Sequence, residues 1–177
     1  VEIACAGSVK RIQGEEESVL DPGTVVSVTS GDGTCAENRL ILEAEEGEEL
    51  TVTSLSRAQG TPSYAGRLEL VDTDEGLVLV NELYLEDYLK KVVPSEMPAS
   101  YAKEALKAQA VCARTYAFMQ RTSNTYSAFG AQIDDSTKFQ VYNNTEPDEQ
   151  TAQAVQETYG KMLYYDGNPI TAYYFST

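Results

Sequence analysis

The spacing of apolar residues changes character at Asn81, and this limits the fold more than any other feature of the chain. Before Asn81, short apolar runs alternate with turn residues. TVVSVTS (24–30), RLILEA (39–44), ELTVTSL (49–55), GRLELV (66–71) and GLVLV (76–80) have the length and β-branched content of strands. The segments between them, DPG, SGDG, EEGE, QGTPS and DTDEG, supply the Gly, Pro and Asp that tight turns need. After Asn81 the apolar positions are Leu85, Tyr88, Leu89, Val92 and Val93, the stripe of an amphipathic helix. Two such halves in this order predict an α+β chain: a β-rich N-terminal part, then a helical core.

Within the helical half, Pro94 is expected to end the first helix, because proline disfavours helical geometry in the residue before it. SYAKEALKAQAVCARTYAFMQR (100–121) is rich in strong helix formers and predicts a second helix, with Ser100 as N-cap. Between the two lies PSEMP (94–98). Glu96 is then held in an interhelical elbow, restricted from both sides and just ahead of a helix N-terminus that favours a carboxylate. Its role is open between a cap for the second helix and a functional acid. Leu106, Ala110, Ala113 and Ala117 form a small-residue packing face. Lys107 and Arg114, seven apart, share another face. They read equally as ligands for a polar substrate beside Glu96 or as solvated cations. RTSNTYSAFGAQ (121–132) reads as a loop and TAQAVQETYG (151–160) as a short helix stopping at Gly160. KMLYYDGNPITAYYFST (161–177) reads as a C-terminal hairpin about an Asp-Gly-Asn-Pro turn.

Composition removes many mechanisms. The 177 residues include no histidine, which excludes Ser-His-Asp hydrolases, Cys-His proteases and imidazole-based zinc sites. Cys5, Cys35 and Cys112 are widely spaced without a CxxC pair, so no metal cluster and no metal cofactor is expected. Cys5 and Cys35 read either as a disulfide of an exported protein or as two small buried thiols. The net charge of −15 argues against a nucleic-acid partner and against an anionic membrane surface. Much of the acid lies in GEEES (14–18) and EAEEGEEL (43–50), which read as solvated loops or faces. The chain shows no signal peptide or membrane span and stops in mid-pattern, so it reads as a fragment whose export signal or anchor lies elsewhere. Asp134-Asp135 is a second acid, a cation ligand or, more ordinarily, a turn cap. Ser100-x-x-Lys103 has the S-x-x-K form of penicillin-binding enzymes, but no KTG accompanies it. Asn143-Asn144-Thr145 is an N-glycosylation match.

VNELYLEDYLKKVVPSEMPASYAKEALKAQAVCARTYA, followed by DDSTKFQVYNN and AVQETYGKMLYYDGNPITAYYFST, resembles the stage II sporulation protein D family, which includes amidase-enhancer proteins. The resemblance divides the chain into residues 1–63, a β-rich N-terminal region, and 64–177, the family core. It implies a bacterial cell-wall protein working outside the cytoplasm on peptidoglycan glycan strands, as a lytic transglycosylase that prefers peptide-free strands and cooperates with an amidase. The glutamate of the PSEMP motif, here Glu96, is implied to be the catalytic acid. Lys107 and Arg114 match positions lining the substrate groove, and Gln140 and Tyr142 fall in the matching QVY motif. The chain departs from the family pattern at Lys91, where many members have Gly. It also departs at STKF (136–139), where some carry His and Cys and bind zinc, so zinc is not carried over. The family pattern usually continues past FST.

A lytic transglycosylase needs only one carboxylate, where a hydrolysing glycosidase normally needs two. Such a group must be protonated when it acts, which calls for an apolar setting around Glu96. The alternative function is non-catalytic: a glycan-binding enhancer of a cell-wall amidase.

Overall fold

In the computed structural model, which describes residues 1–144 and 146–174, apolar alternation decides the first of two units, Val1–Leu83. Its nine strands are β1 (Glu2–Ala4), β2 (Val9–Gln13), β3 (Glu16–Leu20), β4 (Val25–Ser27), β5 (Arg39–Ala44), β6 (Glu49–Val52), β7 (Ser63–Ala65), β8 (Arg67–Thr73) and β9 (Gly76–Glu82). They form two antiparallel sheets, ordered β3-β2-β5-β8-β9 and β4-β1-β6-β7. The register sets Leu40 opposite Leu70 and Leu42 opposite Leu68. With Ile3, Leu50 and Val52 these side chains are buried in one core, as a period of two requires. Between β7 and β8, Gly66 has a φ of +76°, and a Cβ there would lie 2.7 Å from the Glu82 carbonyl oxygen. Only glycine meets both demands.

All five expected strand regions contain strands. Four strands were not foreseen. β2 and β3 are hidden by their charges: VKRIQ pairs with EESVL, and the second half of the GEEES run forms part of an edge strand rather than a loop. Charge on an edge strand deters pairing with another chain. β1 and β7 are three residues each, too short to show alternation.

The second unit, Tyr84–Thr177, contains α1 (Leu85–Glu96), α2 (Lys103–Gln120), α3 (Glu149–Glu157) and a hairpin of β10 (Tyr164–Tyr165) and β11 (Asn168–Pro169). The chain is therefore α+β, with the helices following the strands. α1 buries Leu89, Val92 and Val93, as its stripe predicts. Three local expectations are corrected. Pro94 does not end α1 but lies inside its last turn. Proline there forfeits only one backbone bond, and the turn is closed by Met97 N–H to Val93 O (3.0 Å) and Ser95 Oγ–H to Lys91 O (2.6 Å). Ser100 is not an N-cap; α2 starts after Ala102, without a side-chain cap. The hairpin turn is the pair Asp166-Gly167, both at positive φ (48° and 75°), so Asn168 and Pro169 belong to the strand. The third residue of Asn143-Asn144-Thr145 and residues 175–177 of the hairpin sequence lie outside the described residues.

α3 is the one helix of the three with a side-chain N-cap, Asp148, whose carboxylate accepts from Gln150 N–H (2.8 Å) and Thr151 N–H (3.3 Å). Asp148→Ala is expected to destabilise the second unit by about 0.5–2 kcal/mol, read as a lower urea midpoint at unchanged slope. No midpoint change would show that α3 is held by packing alone. The three cysteines are free thiols; Cys5 is buried and Cys35 Sγ points at Leu70 O (3.8 Å).

Candidate active site

The C-terminal half of α1 is stitched to the segment 140–144. Val141 N–H donates to Glu96 Oε1 (2.8 Å) and Asn143 N–H donates to Ser95 Oγ (3.1 Å). Lys91 Nζ donates to Asn144 Oδ1 (3.1 Å). The Tyr142 ring stacks on Tyr88, centroids 5.6 Å apart. Backbone N–H groups that a sheet would otherwise satisfy are thus met by side chains of one helix. This is why 140–144 needs no strand partner.

Gln140 is the hub behind this contact. It is 1% exposed. Its Nε2 donates to Ala113 O (3.2 Å) on α2, a pure acceptor, which fixes the orientation of the amide. The same nitrogen donates to Tyr174 OH (2.7 Å), and Gln140 Oε1 accepts from Tyr88 OH (3.2 Å). The Tyr88 proton is therefore committed. Tyr174 accepts through its oxygen, and its own proton has no acceptor among the described residues. Burial pushes both phenols far above their ordinary range, and the Glu96 charge adds to the push on each. Both therefore stay neutral.

Glu96 is the C-terminal residue of α1, not an elbow residue ahead of α2. It does not cap α2, whose first turn has no side-chain cap. It is half-buried, with Oε1 taken by Val141 and no partner for Oε2 among the described residues. One oxygen is a strut and the other is available to a ligand.

The remaining expected site residues separate. Tyr142 and Gln140 belong to the Glu96 cluster, but as buried supports. Arg114 does not line a groove: it is 1% exposed and its fork closes on Glu86, with Nε to Oε1 at 2.7 Å and Nη2 to Oε2 at 2.8 Å. Its remaining hydrogens go to Val155 O (3.2 Å) and Lys161 O (3.2 Å), with Ala110 O and Thr158 Oγ1 at longer range. Lys107 lies at the surface between Glu104 (3.0 Å) and Glu157 (3.6 Å), and the Glu104 contact raises its pKa. The shared face of Lys107 and Arg114 is real, but it turns to α3 and the start of α1. Asp134 is a turn residue, accepting from Ser136 N–H (2.9 Å), Ser136 Oγ and Tyr126 OH. Among the described residues, no group of three His, Cys, Asp or Glu side chains could hold a metal ion, and no helix is long and apolar enough to cross a membrane.

Tyr88, Ser95 and Tyr174 are the site residues that sequence reasoning missed. Tyr88 lies in the apolar stripe, yet a tyrosine there carries a polar tip that needs a partner when buried.

The model of the Stage II sporulation protein family matches residues 73–165. The chain is 48% identical over 89 residues to the amidase enhancer of Bacillus subtilis (strain 168), covering 50% of this chain and 12% of that protein. It is 40% identical over 112 residues to stage II sporulation protein D of the same organism, covering 55% of this chain and 33% of that protein. An uncharacterised protein of Brachyspira hyodysenteriae (strain ATCC 49526 / WA1) is 40% identical over 112 residues, covering 63% of this chain and 30% of that protein. The chain spans a third or less of the length of these relatives. No solved structure matches. With more than half of its residues covered by the family model, the chain belongs to the Stage II sporulation protein family.

Proposed function

We propose that the second unit cleaves peptidoglycan glycan strands as a lytic transglycosylase, with Glu96 as acid and then base. The observation that carries this reading is the division of labour within one carboxyl group. Oε1 is fixed by Val141 N–H, while Oε2 has no partner among the described residues. In the first step, protonated Oε2 gives its proton to the glycosidic oxygen as the bond to the anomeric carbon breaks. In the second, the resulting carboxylate takes the proton of the same sugar's 6-hydroxyl, whose oxygen bonds to the anomeric carbon. A 1,6-anhydro ring forms and Glu96 returns to its acid form, so no water and no second carboxylate are consumed. Glu86, Glu157 and Asp134 are each engaged by protein partners, which fits a one-carboxylate mechanism. Neutral Tyr174, held by Gln140 one residue from the Val141 that anchors Glu96, would offer a donor to a developing negative charge.

Similarity to proteins named for sporulation and for amidase enhancement supports a cell-wall setting. The substrate would be peptide-free strands on the outer side of the membrane, with an N-acetylmuramoyl-L-alanine amidase as partner. A second reading, favoured by the 48% identity to an amidase enhancer, is that the unit binds strands and stimulates an amidase without cutting. Mass spectrometry of digests of peptide-free strands separates the two. Products with 1,6-anhydro ends are expected. Intact strands, bound by protein that accelerates an amidase, would replace the lytic reading with the enhancer one.

A further inference from the structure

Ser95 touches both sides of the contact that fixes Glu96. Its hydroxyl donates to Lys91 O (2.6 Å), one turn back in α1, and accepts from Asn143 N–H (3.1 Å) in the facing segment. A hydroxyl carries one proton. Here that proton is committed to the helix carbonyl, which fixes the rotor and turns an oxygen lone pair toward Asn143.

Each half of the contact needs such a tie. Glu96 is the last residue of α1, and Met97 after it is already extended, with φ −141° and ψ 128°. Helix ends fray, and Pro94 contributes no backbone N–H to this one. The Ser95–Lys91 bond adds a link within the turn that carries the carboxylate. On the other side, three successive amides go alternately to α1 and to the loop before the segment. Val141 N–H donates to Glu96 Oε1 (2.8 Å), Tyr142 N–H to Asp135 O (3.3 Å) and Asn143 N–H to Ser95 Oγ. Two amides two positions apart thus meet two adjacent helix residues, 95 and 96. A slip of one residue would present Tyr142 N–H to the helix and turn Val141 N–H away from Glu96. Holding Asn143 fixes the register at which Val141 reaches Oε1.

We infer that Ser95 is a positioning residue for Glu96: its hydroxyl sets the register of 141–143 against α1 and ties down the last turn of the helix, so that Oε1 is held while Oε2 is presented to a substrate. Ser95 itself acts only through Glu96 and Val141. The inference rests on the acid–base role proposed above for Glu96 and adds the residue that aims it.

The test pairs a kinetic readout with one that needs no cutting. In the full chain, Ser95→Ala is expected to lower kcat for release of 1,6-anhydro ends from peptide-free strands by about tenfold with KM unchanged, because a misplaced proton donor weakens the transition state and not strand binding. In the same variant without substrate, hydrogen exchange at the Val141 amide should quicken by about tenfold, the worth of one hydrogen bond. Val141 is not the partner of Ser95, so a change there reports the register. The Ala152 amide of α3, which donates to Asp148 O (2.8 Å), should keep the parent rate. Ser95→Thr retains a hydroxyl able to reach the carbonyl four residues back and should hold both readouts near the parent. Parental kcat in the alanine variant, parental exchange at Val141, or equal acceleration at Val141 and Ala152 would overturn the proposal. So would an alanine variant that fails to fold, or a folded threonine variant as impaired as alanine. If the parent cuts nothing, the lytic reading falls by itself, and the exchange rates alone decide whether Ser95 holds the Glu96 strut.

Discussion

Glu96→Gln is expected to slow strand cleavage by about 100- to 10,000-fold while leaving the fold intact. The size follows from the proposed mechanism, in which Glu96 moves both protons and an amide would move neither. The intact fold follows from the strut: glutamine retains an oxygen that accepts from Val141 N–H, so the stitch between α1 and 140–144 survives. Glu96→Ala is the informative contrast, since it removes acid and strut together and should also lower stability. The measurement is the rate of appearance of 1,6-anhydro ends from peptide-free strands, with thermal melting as the control. A glutamine variant that cuts as fast as the parent would make Glu96 a strut and nothing more.

Arg114→Met is expected to produce the largest loss of stability, about 3–5 kcal/mol, because it strands a partner instead of replacing a pair. The methionine leaves the Glu86 carboxylate without its fork and frees the Val155 and Lys161 carbonyls. For a unit of this size the melting temperature should fall by at least about 10 °C. Arg114→Lys should fall between parent and methionine, since one ammonium cannot reproduce the bidentate geometry. At a temperature where the methionine variant remains folded, its affinity for glycan strands should match the parent. A stable variant that has lost glycan binding would return Arg114 to a substrate groove.

The sequence reveals the two kinds of periodicity well and the site only partly. Leu40, Leu42, Leu68 and Leu70 declare a sheet face, and Leu89, Val92 and Val93 a helix face, because burial on one side imposes its period on the residues themselves. Glu96 stands out through its flanking prolines, even though Pro94 turns out to be helical. The supports of Glu96 carry no such mark. Val141 acts through its backbone N–H, which any residue but proline would supply. Tyr174 comes from far along the chain, and nothing local announces the meeting. Arg114 is misread for a related reason. An arginine at helical spacing from a lysine looks like surface charge, and only Glu86, 28 positions earlier and in another helix, makes it an interior residue.

The lacing of 140–144 onto α1 has a bearing on motion. Its rungs are Gln140 to Tyr88, Val141 to Glu96, Asn143 to Ser95 and Asn144 to Lys91, and all land on one rigid helix. Lifting the segment from either end exposes buried amides before any compensation is reached, so detachment is a single local unfolding event and not a gradual fraying. Whatever population of molecules has the segment undocked has, in the same instant, a Glu96 carboxylate with no anchor. Docking of the segment and anchoring of the Glu96 carboxylate are therefore one equilibrium: a ligand that bridges the segment and α1 would draw the protein toward the docked arrangement simply by occupying it.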